Sequence, residues 1–96
     1  MTTLKTARIE RALLSKLGFE PKAGHHRIFR LYLEGRLVAR TYISHGQREV
    51  GRYHVGYMAR QMRLSRREFL DAIKCPLTRE EYYGLLRQRL EDQSVE

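Results

Sequence analysis

The chain has 96 residues and a hydrophobic content of 42%, which suits one globular domain with a modest core. Its formal net charge of +8 at pH 7 favours acidic partners. The apolar runs fall far short of the roughly 18 residues that a membrane span needs. The charged N-terminus is unlike a signal peptide, and the single cysteine cannot form an internal disulfide. We therefore expect a cytoplasmic protein without a membrane segment.

The positive charge is concentrated in the middle of the chain. Residues 22–67 contain eleven Lys or Arg against two Glu, a net charge of +9, whereas residues 1–21 carry +2 and residues 68–96 carry −3. Ten of the eleven basic residues are arginines, whose planar guanidinium suits phosphate better than an ammonium group does. A merely soluble basic surface usually mixes both signs. The distribution therefore predicts that the middle of the chain binds nucleic acid.

The first predicted element is an amphipathic helix over residues 4–17. Its apolar side chains recur every four residues, at Ile9, Leu13 and Leu17. Gly18 stands where a left-handed helix C-cap belongs. Residues 19–22 then predict an irregular or edge strand, because Pro21 cannot donate a ladder hydrogen bond.

Two strands are predicted over residues 26–33 and 37–44, where apolar and polar side chains alternate. One face is apolar and belongs to the core, through Phe29, Leu31, Leu33, Leu37, Ala39, Thr41 and Ile43. The other face carries His26, Arg30, Tyr32, Arg40 and Tyr42. Aromatic rings interleaved with arginines suit the stacking of RNA bases and contact with phosphates, although an ordinary solvated sheet face is the plainer alternative.

The turn between these strands sets their register. A two-residue loop would mix the apolar and polar faces, so the pattern predicts a three-residue loop, 33–35, with its glycine in the left-handed conformation. This register would place Phe29 opposite Ala39 and His26 opposite Tyr42.

Helices are predicted for the rest of the chain. After a polar loop at 45–52, apolar residues at helical spacing predict a helix from Val55 to Arg63. Capping-box patterns at 65–68 and 78–81 open two further helices, and Pro76 ends the first of them. The order of one helix, three strands and further helices predicts an α+β fold with the helices packed on one face of the sheet.

Few motifs in the chain point to chemistry. The histidines and the cysteine have no zinc-ligand spacing, and no glycine-rich phosphate loop, serine-nucleophile elbow or carboxylate pair is present. The sequence thus predicts no metal ion and no cofactor. What remains is His26, expected on the open side of the sheet among arginines. A histidine can transfer the proton of a 2′-hydroxyl near neutral pH, and arginines can stabilise the charge that develops on phosphate, so a metal-free ribonuclease is one hypothesis.

A short set of motifs supports this hypothesis. A helix is followed by Gly18-Phe19, and Gly24-His25-His26 then leads into a strand. Further matches are Gly35-Arg36-Leu37-Val38, His45-Gly46 and the segment 64–70. In these features the chain resembles the HicA family of toxin–antitoxin mRNA interferases over roughly residues 8–73.

The resemblance implies a fold similar to the double-stranded RNA-binding domain, with helices on one face of a three-stranded sheet. It implies metal-independent cleavage of mRNA, with the catalytic histidine at His26 and the motif glycine at Gly24. It also implies a partner antitoxin of the HicB type.

Two features depart from the family pattern. His25 occupies the position of the motif's serine, where it could transfer a second proton or bind phosphate. Residues 75–96 add an acidic helix, so we divide the chain into a HicA-like region, 1–74, and a C-terminal helical extension of the same domain, 75–96. This extension is expected to enlarge the core; shielding of the basic face and a homodimer contact are alternatives.

The leading prediction is an endoribonuclease that uses His26 as its acid/base residue, with His25 and His45 as further catalytic candidates. The predicted RNA contacts are Gly24, Arg27, Arg30, Tyr32, Arg40 and Tyr42. Arg27 is expected to begin on the core side of its strand. A non-catalytic RNA-binding module of the same fold is the alternative, and a domain that binds an acidic protein is a third hypothesis.

Overall fold

The computed structural model describes residues 4–22, 24, 26–74 and 76–94, with side chains as far as residue 90. The candidate His25 and the lone Cys75 lie outside the described residues. The elements in chain order are β1 (Leu4–Lys5), α1 (Thr6–Arg11) with a π-helical continuation (Ala12–Lys16), β2 (Glu20–Lys22), β3 (His26–Leu33), β4 (Arg36–Ser44), β5 (Glu49–Val50), α2 (Arg52–Gln61), α3 (Arg66–Lys74) and α4 (Arg79–Ser94).

The predicted α+β class is confirmed. Strands β2, β3 and β4 form an antiparallel sheet in that order, and β1 pairs with β5 in a separate two-stranded sheet. The core lies on one face of the three-stranded sheet. There the strand side chains Phe29, Leu31, Thr41 and Ile43 are buried together with apolar side chains of all four helices. In the part of the chain that the structure describes, the helices are too short or too polar to cross a membrane.

The prediction of a helix from residue 4 and of a plain loop over 45–52 was wrong. Leu4 pairs with Val50 in the short β1–β5 sheet, and both side chains are buried. The backbone N–H of Thr6 donates to the carbonyl of Arg48, which fixes the start of α1 against this segment. Leu4 fits the apolar period of a helix as well as a buried strand position, so periodicity alone could not separate the two.

The first helix ends at the glycine that the sequence predicts, but its last turn is π-helical instead of α-helical. The N–H of Leu17 donates to the carbonyl of Ala12 five residues earlier, the hydrogen bond of a π-helix. Gly18 follows in the left-handed conformation with φ 83°, and the N–H of Phe19 returns to the carbonyl of Leu13. The edge strand β2 with Pro21 pairs on one side only, with β3.

The predicted register between β3 and β4 was wrong by two residues. Phe29 pairs with Thr41 and His26 with Ser44, because the turn has only two residues, Glu34 and Gly35, which shifts the register by one, and a bulge in β4 shifts it by one more. Both turn residues take the left-handed conformation, with φ 54° and 81°, as in the type I′ hairpin turn. A left-handed glutamate is uncommon, and the sequence argument allowed that conformation only to the glycine.

A β-bulge in β4 preserves the two faces despite the shorter loop. Leu31 pairs with Ala39 and Tyr32 with Leu37, so Val38 is the extra residue. The bulge turns Val38 into the core and leaves Leu37 49% exposed, which reverses the predicted sides of these two residues. Beyond the bulge the predicted alternation holds.

Both predicted capping boxes are present. The backbone N–H of Glu68 donates to the Ser65 hydroxyl, while the Glu68 carboxylate accepts from the N–H of Ser65. Thr78 and Glu81 form the same reciprocal pair at the start of α4. Hydrogen bonds from Arg89 and then from Ser65 lower the pKa of Glu68 to about 2.

Helix α4 packs against the helical side of the sheet. Its Tyr82 and Leu86 are fully buried, and the Tyr82 hydroxyl donates to the carbonyl of Met62. Burial raises the pKa of Tyr82. The guanidinium of Arg79 and the hydroxyl of Tyr83 donate to carbonyls at the end of the first helix, those of Ser15, Lys16 and Leu17. The described contacts of α4 therefore lie away from the exposed face of the sheet.

Candidate nucleic-acid interface

The sheet face opposite the core collects most of the residues that the sequence singled out. We call it the open face. It comprises Glu20 and Lys22 from β2, His26, Ile28, Arg30 and Tyr32 from β3, and Arg40, Tyr42 and Ser44 from β4. His26, Tyr32 and Arg40 are exposed, whereas Arg30 and Tyr42 are partly covered by their neighbours. The alternation along two paired strands brings these side chains together, since every second residue points to the same side.

Arg30 and Arg40 are direct cross-strand neighbours on this face. Within the described residues, neither guanidinium has a hydrogen-bond acceptor or an ion-pair partner, although Glu20 is the β2 neighbour of Arg30. The Arg30 guanidinium instead lies 5.7 Å from the centre of the Tyr32 ring, a cation–π contact. Like charges placed directly opposite each other in a sheet are destabilising. An anion bound between them would remove that cost.

His26 occupies one end of the open face, at the first residue of β3. Its imidazole lies 5.0 Å from the Tyr42 ring, centre to centre, with 43° between the planes. Lys22 of β2 pairs with Ile28, which is two residues after His26 on β3, so the Lys22 side chain projects on the same side of the sheet as His26. Lys22 was not among the sequence-predicted contacts because the edge strand was too irregular for its faces to be assigned.

His45 connects the turn before β3 to the end of β4. Its Nε2 lies 2.8 Å from the carbonyl oxygen of Gly24, so this nitrogen carries the proton and donates it. The contact joins two of the predicted site residues and fixes the backbone two positions before His26.

Arg27, which the sequence also predicted as an RNA contact, lies on the opposite side of the sheet from Arg30, Tyr32, Arg40 and Tyr42. Its guanidinium forms an ion pair with the carboxylate of Glu10 in α1, and its side chain is about one-third exposed. Arg27 therefore does not join the open face, as its position in the alternation indicated.

The structure extends the aromatic part of the open face onto α2, which the sequence did not predict. The Tyr42 ring lies 5.6 Å from His54 and 6.5 Å from Tyr57, again centre to centre. These residues line a shallow hollow of about 370 Å³, together with Ser44, Gln47 and Tyr53. The α2 pattern identified only the core side of the helix, and the contact of its outer side with β4 depends on tertiary packing.

Hydrogen bonds fix the polar floor of this hollow. The side-chain oxygen of Gln47 accepts from the N–H of Ser44, so its amide nitrogen donates to Nδ1 of His54 and to the carbonyl of Glu49. His54 then uses Nε2–H to donate to the carbonyl of Tyr42. Because the Gln47 amide is oriented by the backbone, the contacts make Nδ1 of His54 an acceptor and Nε2 a donor.

Within the described part of the chain, no three His, Cys, Asp or Glu side chains come together as a metal-binding group. Comparison of the chain with protein-family models, with curated proteins and with solved structures found no match. The resemblance to the HicA family therefore remains a prediction from short motifs.

Proposed function

We propose that the protein binds RNA through the open face and cleaves it without a metal ion, with His26 as the acid/base residue. The observation that carries the RNA-binding part is the pair Arg30 and Arg40, which have no hydrogen-bond acceptor or ion-pair partner in the described structure. Aromatic rings next to these cations supply base stacking beside phosphate contact, the combination by which proteins bind single strands.

The proposed cleavage uses the 2′-hydroxyl of the RNA itself. His26 takes the proton of this hydroxyl, the 2′-oxygen attacks the adjacent phosphorus, and the bond from phosphorus to the 5′-oxygen breaks. A proton must then reach the departing 5′-oxygen, and the products are a 2′,3′-cyclic phosphate and a 5′-hydroxyl. Proton transfer by a positioned histidine typically accelerates such a step about a hundred- to ten-thousand-fold.

The arginine pair lies away from His26 along the sheet, because the Arg30 guanidinium contacts the ring of Tyr32, which is further from His26 on the same strand. Arg30 is four residues from His26 on the same strand, about 13 Å at the usual rise per residue. We infer that Arg30 and Arg40 hold a neighbouring phosphate and set the direction of the strand. By register Lys22 is closer to His26 than either arginine is, since it pairs with Ile28, and it is the candidate for stabilising the developing charge.

Binding of RNA without cleavage is the alternative function. It is favoured by the hydrogen bond between His45 and the Gly24 carbonyl, because that bond occupies the proton-carrying nitrogen of His45, the other predicted catalytic histidine that the structure describes. His25, which could supply the missing proton, remains the other candidate. A HicB-type antitoxin as partner would belong to the first function and not to this one.

The test compares cleavage of one labelled RNA by wild type, His26→Ala and His25→Ala in the presence of EDTA. His26 is exposed, so its loss opens no core cavity, and we expect cleavage to fall at least a hundred-fold while RNA affinity is kept. A strand with 2′-deoxyribose throughout should resist the wild type. Equal cleavage by wild type and His26→Ala would overturn the catalytic assignment. Binding without cleavage by all three proteins would support the alternative.

A further inference from the structure

Two exposed tyrosines form the outer wall of the hollow beside β4. Tyr53 is 91% exposed and Tyr57 is 52% exposed, and they lie one helical turn apart on α2. Tyr57 meets the edge of Tyr42, which connects the helix to the open face. Adjacent exposed rings of this size offer a flat surface on which another planar group can stack.

Cations continue the same junction between β4 and α2. Arg40 and Arg60 line a second hollow of about 420 Å³, next to the exposed Leu37. Arg40 is two residues from Tyr42 on the strand, and Arg60 is three residues from Tyr57 on the helix. The described residues that line the two hollows include no carboxylate. We call this junction between β4 and α2 the seam. It presents the rings of Tyr53 and Tyr57 at one end and the guanidinium groups of Arg40 and Arg60 at the other.

We propose that this seam binds one unpaired nucleotide of the RNA, with the base stacked on Tyr53 and Tyr57 and its phosphate on Arg60, next to the phosphate that Arg30 and Arg40 hold. This inference rests on the proposed binding of RNA at the open face but not on cleavage. A planar base attached to an anion matches the order of groups along the seam. A paired base is buried in its duplex and cannot reach the rings, so the substrate is single-stranded at this point.

The floor of the hollow determines how the base is recognised. The Gln47 amide and both nitrogens of His54 are already hydrogen-bonded within the protein. The remaining polar groups are hydroxyls, those of Ser44, Tyr42, Tyr53 and Tyr57, which can rotate to donate or accept. The seam should therefore hold any of the four bases by stacking, with weak preference among them.

The test uses single-stranded DNA that carries one 2-aminopurine, whose fluorescence is quenched by stacking. DNA lacks the 2′-hydroxyl, so binding is measured without cleavage. We compare wild type with the double variants Tyr53→Ala/Tyr57→Ala and Tyr53→Phe/Tyr57→Phe, with thermal melts as the check on folding. Both tyrosines are exposed, so the alanine variant should melt as the wild type does.

We expect the alanine variant to lose the quenching and about 5- to 150-fold in affinity, which corresponds to about 1–3 kcal/mol for the stacking of one base. The phenylalanine variant keeps the rings and should bind as the wild type does. Arg60→Gln should weaken binding, whereas Arg87→Gln, the same change at an exposed position of α4, should not. A fully paired duplex should bind more weakly than the single strand.

Equal quenching and affinity in the alanine variant would overturn the seam as a base-binding site, and so would stronger binding of the duplex. The proposed function would survive that result if RNA is still bound and cleaved in a His26-dependent manner. Quenching that depends on the tyrosines without any RNA cleavage would support the seam and reject the enzyme. If wild type binds no strand at all, both proposals fail.

Discussion

Arginines on the two sides of the sheet are used differently. On the helical side, Arg27 pairs with Glu10, Arg79 donates to main-chain carbonyls, and Arg89 pairs with Glu68. On the open face, Arg30 and Arg40 have neither a carboxylate nor a carbonyl partner in the described structure. The net charge of the chain counts all five equally, but among these five only Arg30 and Arg40 lack a described partner and are available to an external anion. What distinguishes the open face is that its two unpartnered arginines are direct cross-strand neighbours.

The largest expected effect is the loss of the fold when α4 is removed from the helical side of the sheet. Removing α4 by truncation after Lys74 deletes Tyr82 and Leu86, both fully buried. Truncating a single buried side chain of this size costs about 2–5 kcal/mol, and a small domain is stable by only about 5–15 kcal/mol. We expect the truncated chain to be unfolded by circular dichroism and to lose RNA binding with its fold.

Two single substitutions in the full chain, one in α4 and one on the open face, check that the stability comes from the helical side. Leu86→Ala should lower the free energy of unfolding by about 2–5 kcal/mol, because it leaves a cavity. Arg40→Gln should leave it within about 0.5 kcal/mol, because the side chain is exposed and makes no described ion pair. Urea titration measures both. A truncated chain that melts like the wild type would show that α4 is not part of the folding unit.

A smaller effect is expected from the ion pair that joins α3 to α4. The pKa of Glu68 is about 2 in the folded protein against an ordinary 4.5, mainly because Arg89 donates to its carboxylate. The carboxylate therefore stabilises the fold above pH 4.5, and this contribution is lost as the pH falls towards 2. Because both side chains are about one-third exposed, the contribution should stay below about 1 kcal/mol.

Thermal melts of wild type and Glu68→Gln between pH 7 and pH 2 measure this contribution. The difference in melting temperature between the two proteins should be largest at pH 7 and should shrink as the pH falls through the pKa of Glu68. A difference that stays constant over the whole range would show that Glu68 gains nothing from Arg89 in the fold.

Much of the fold follows from local patterns in the sequence. The alternation in β3 and β4, the two capping boxes and the left-handed Gly18 each depend on a few neighbouring residues, and the structure contains all of them. The prediction of the β3–β4 register failed because it depends on two features that lie apart in the hairpin. A left-handed Glu34 and a bulge at Val38 compensate each other, and periodicity reports only their combined effect on the faces.

The strand residues of the candidate site could be predicted from the sequence, but its helix residues could not. His26, Tyr42 and the arginine pair could be placed on one face, since alternation along a strand determines the side of each residue. Tyr53, Tyr57 and His54 could not be added, because their contact with Tyr42 requires the packing angle of α2 on β4. The unpartnered state of Arg30 and Arg40 also depends on where every carboxylate lies in three dimensions.

The salt dependence of binding tests most directly whether the open-face arginines hold nucleic-acid phosphates. Single-stranded DNA of one length is titrated at several salt concentrations with wild type, Arg30→Gln/Arg40→Gln and Arg27→Gln. For single strands, log affinity falls with log salt by about 0.7 per phosphate neutralised, so the double variant should flatten the slope by up to about 1.4. Arg27→Gln removes a cation from the same strand but the opposite face and should leave the slope unchanged. A double variant with the wild-type slope would contradict the account.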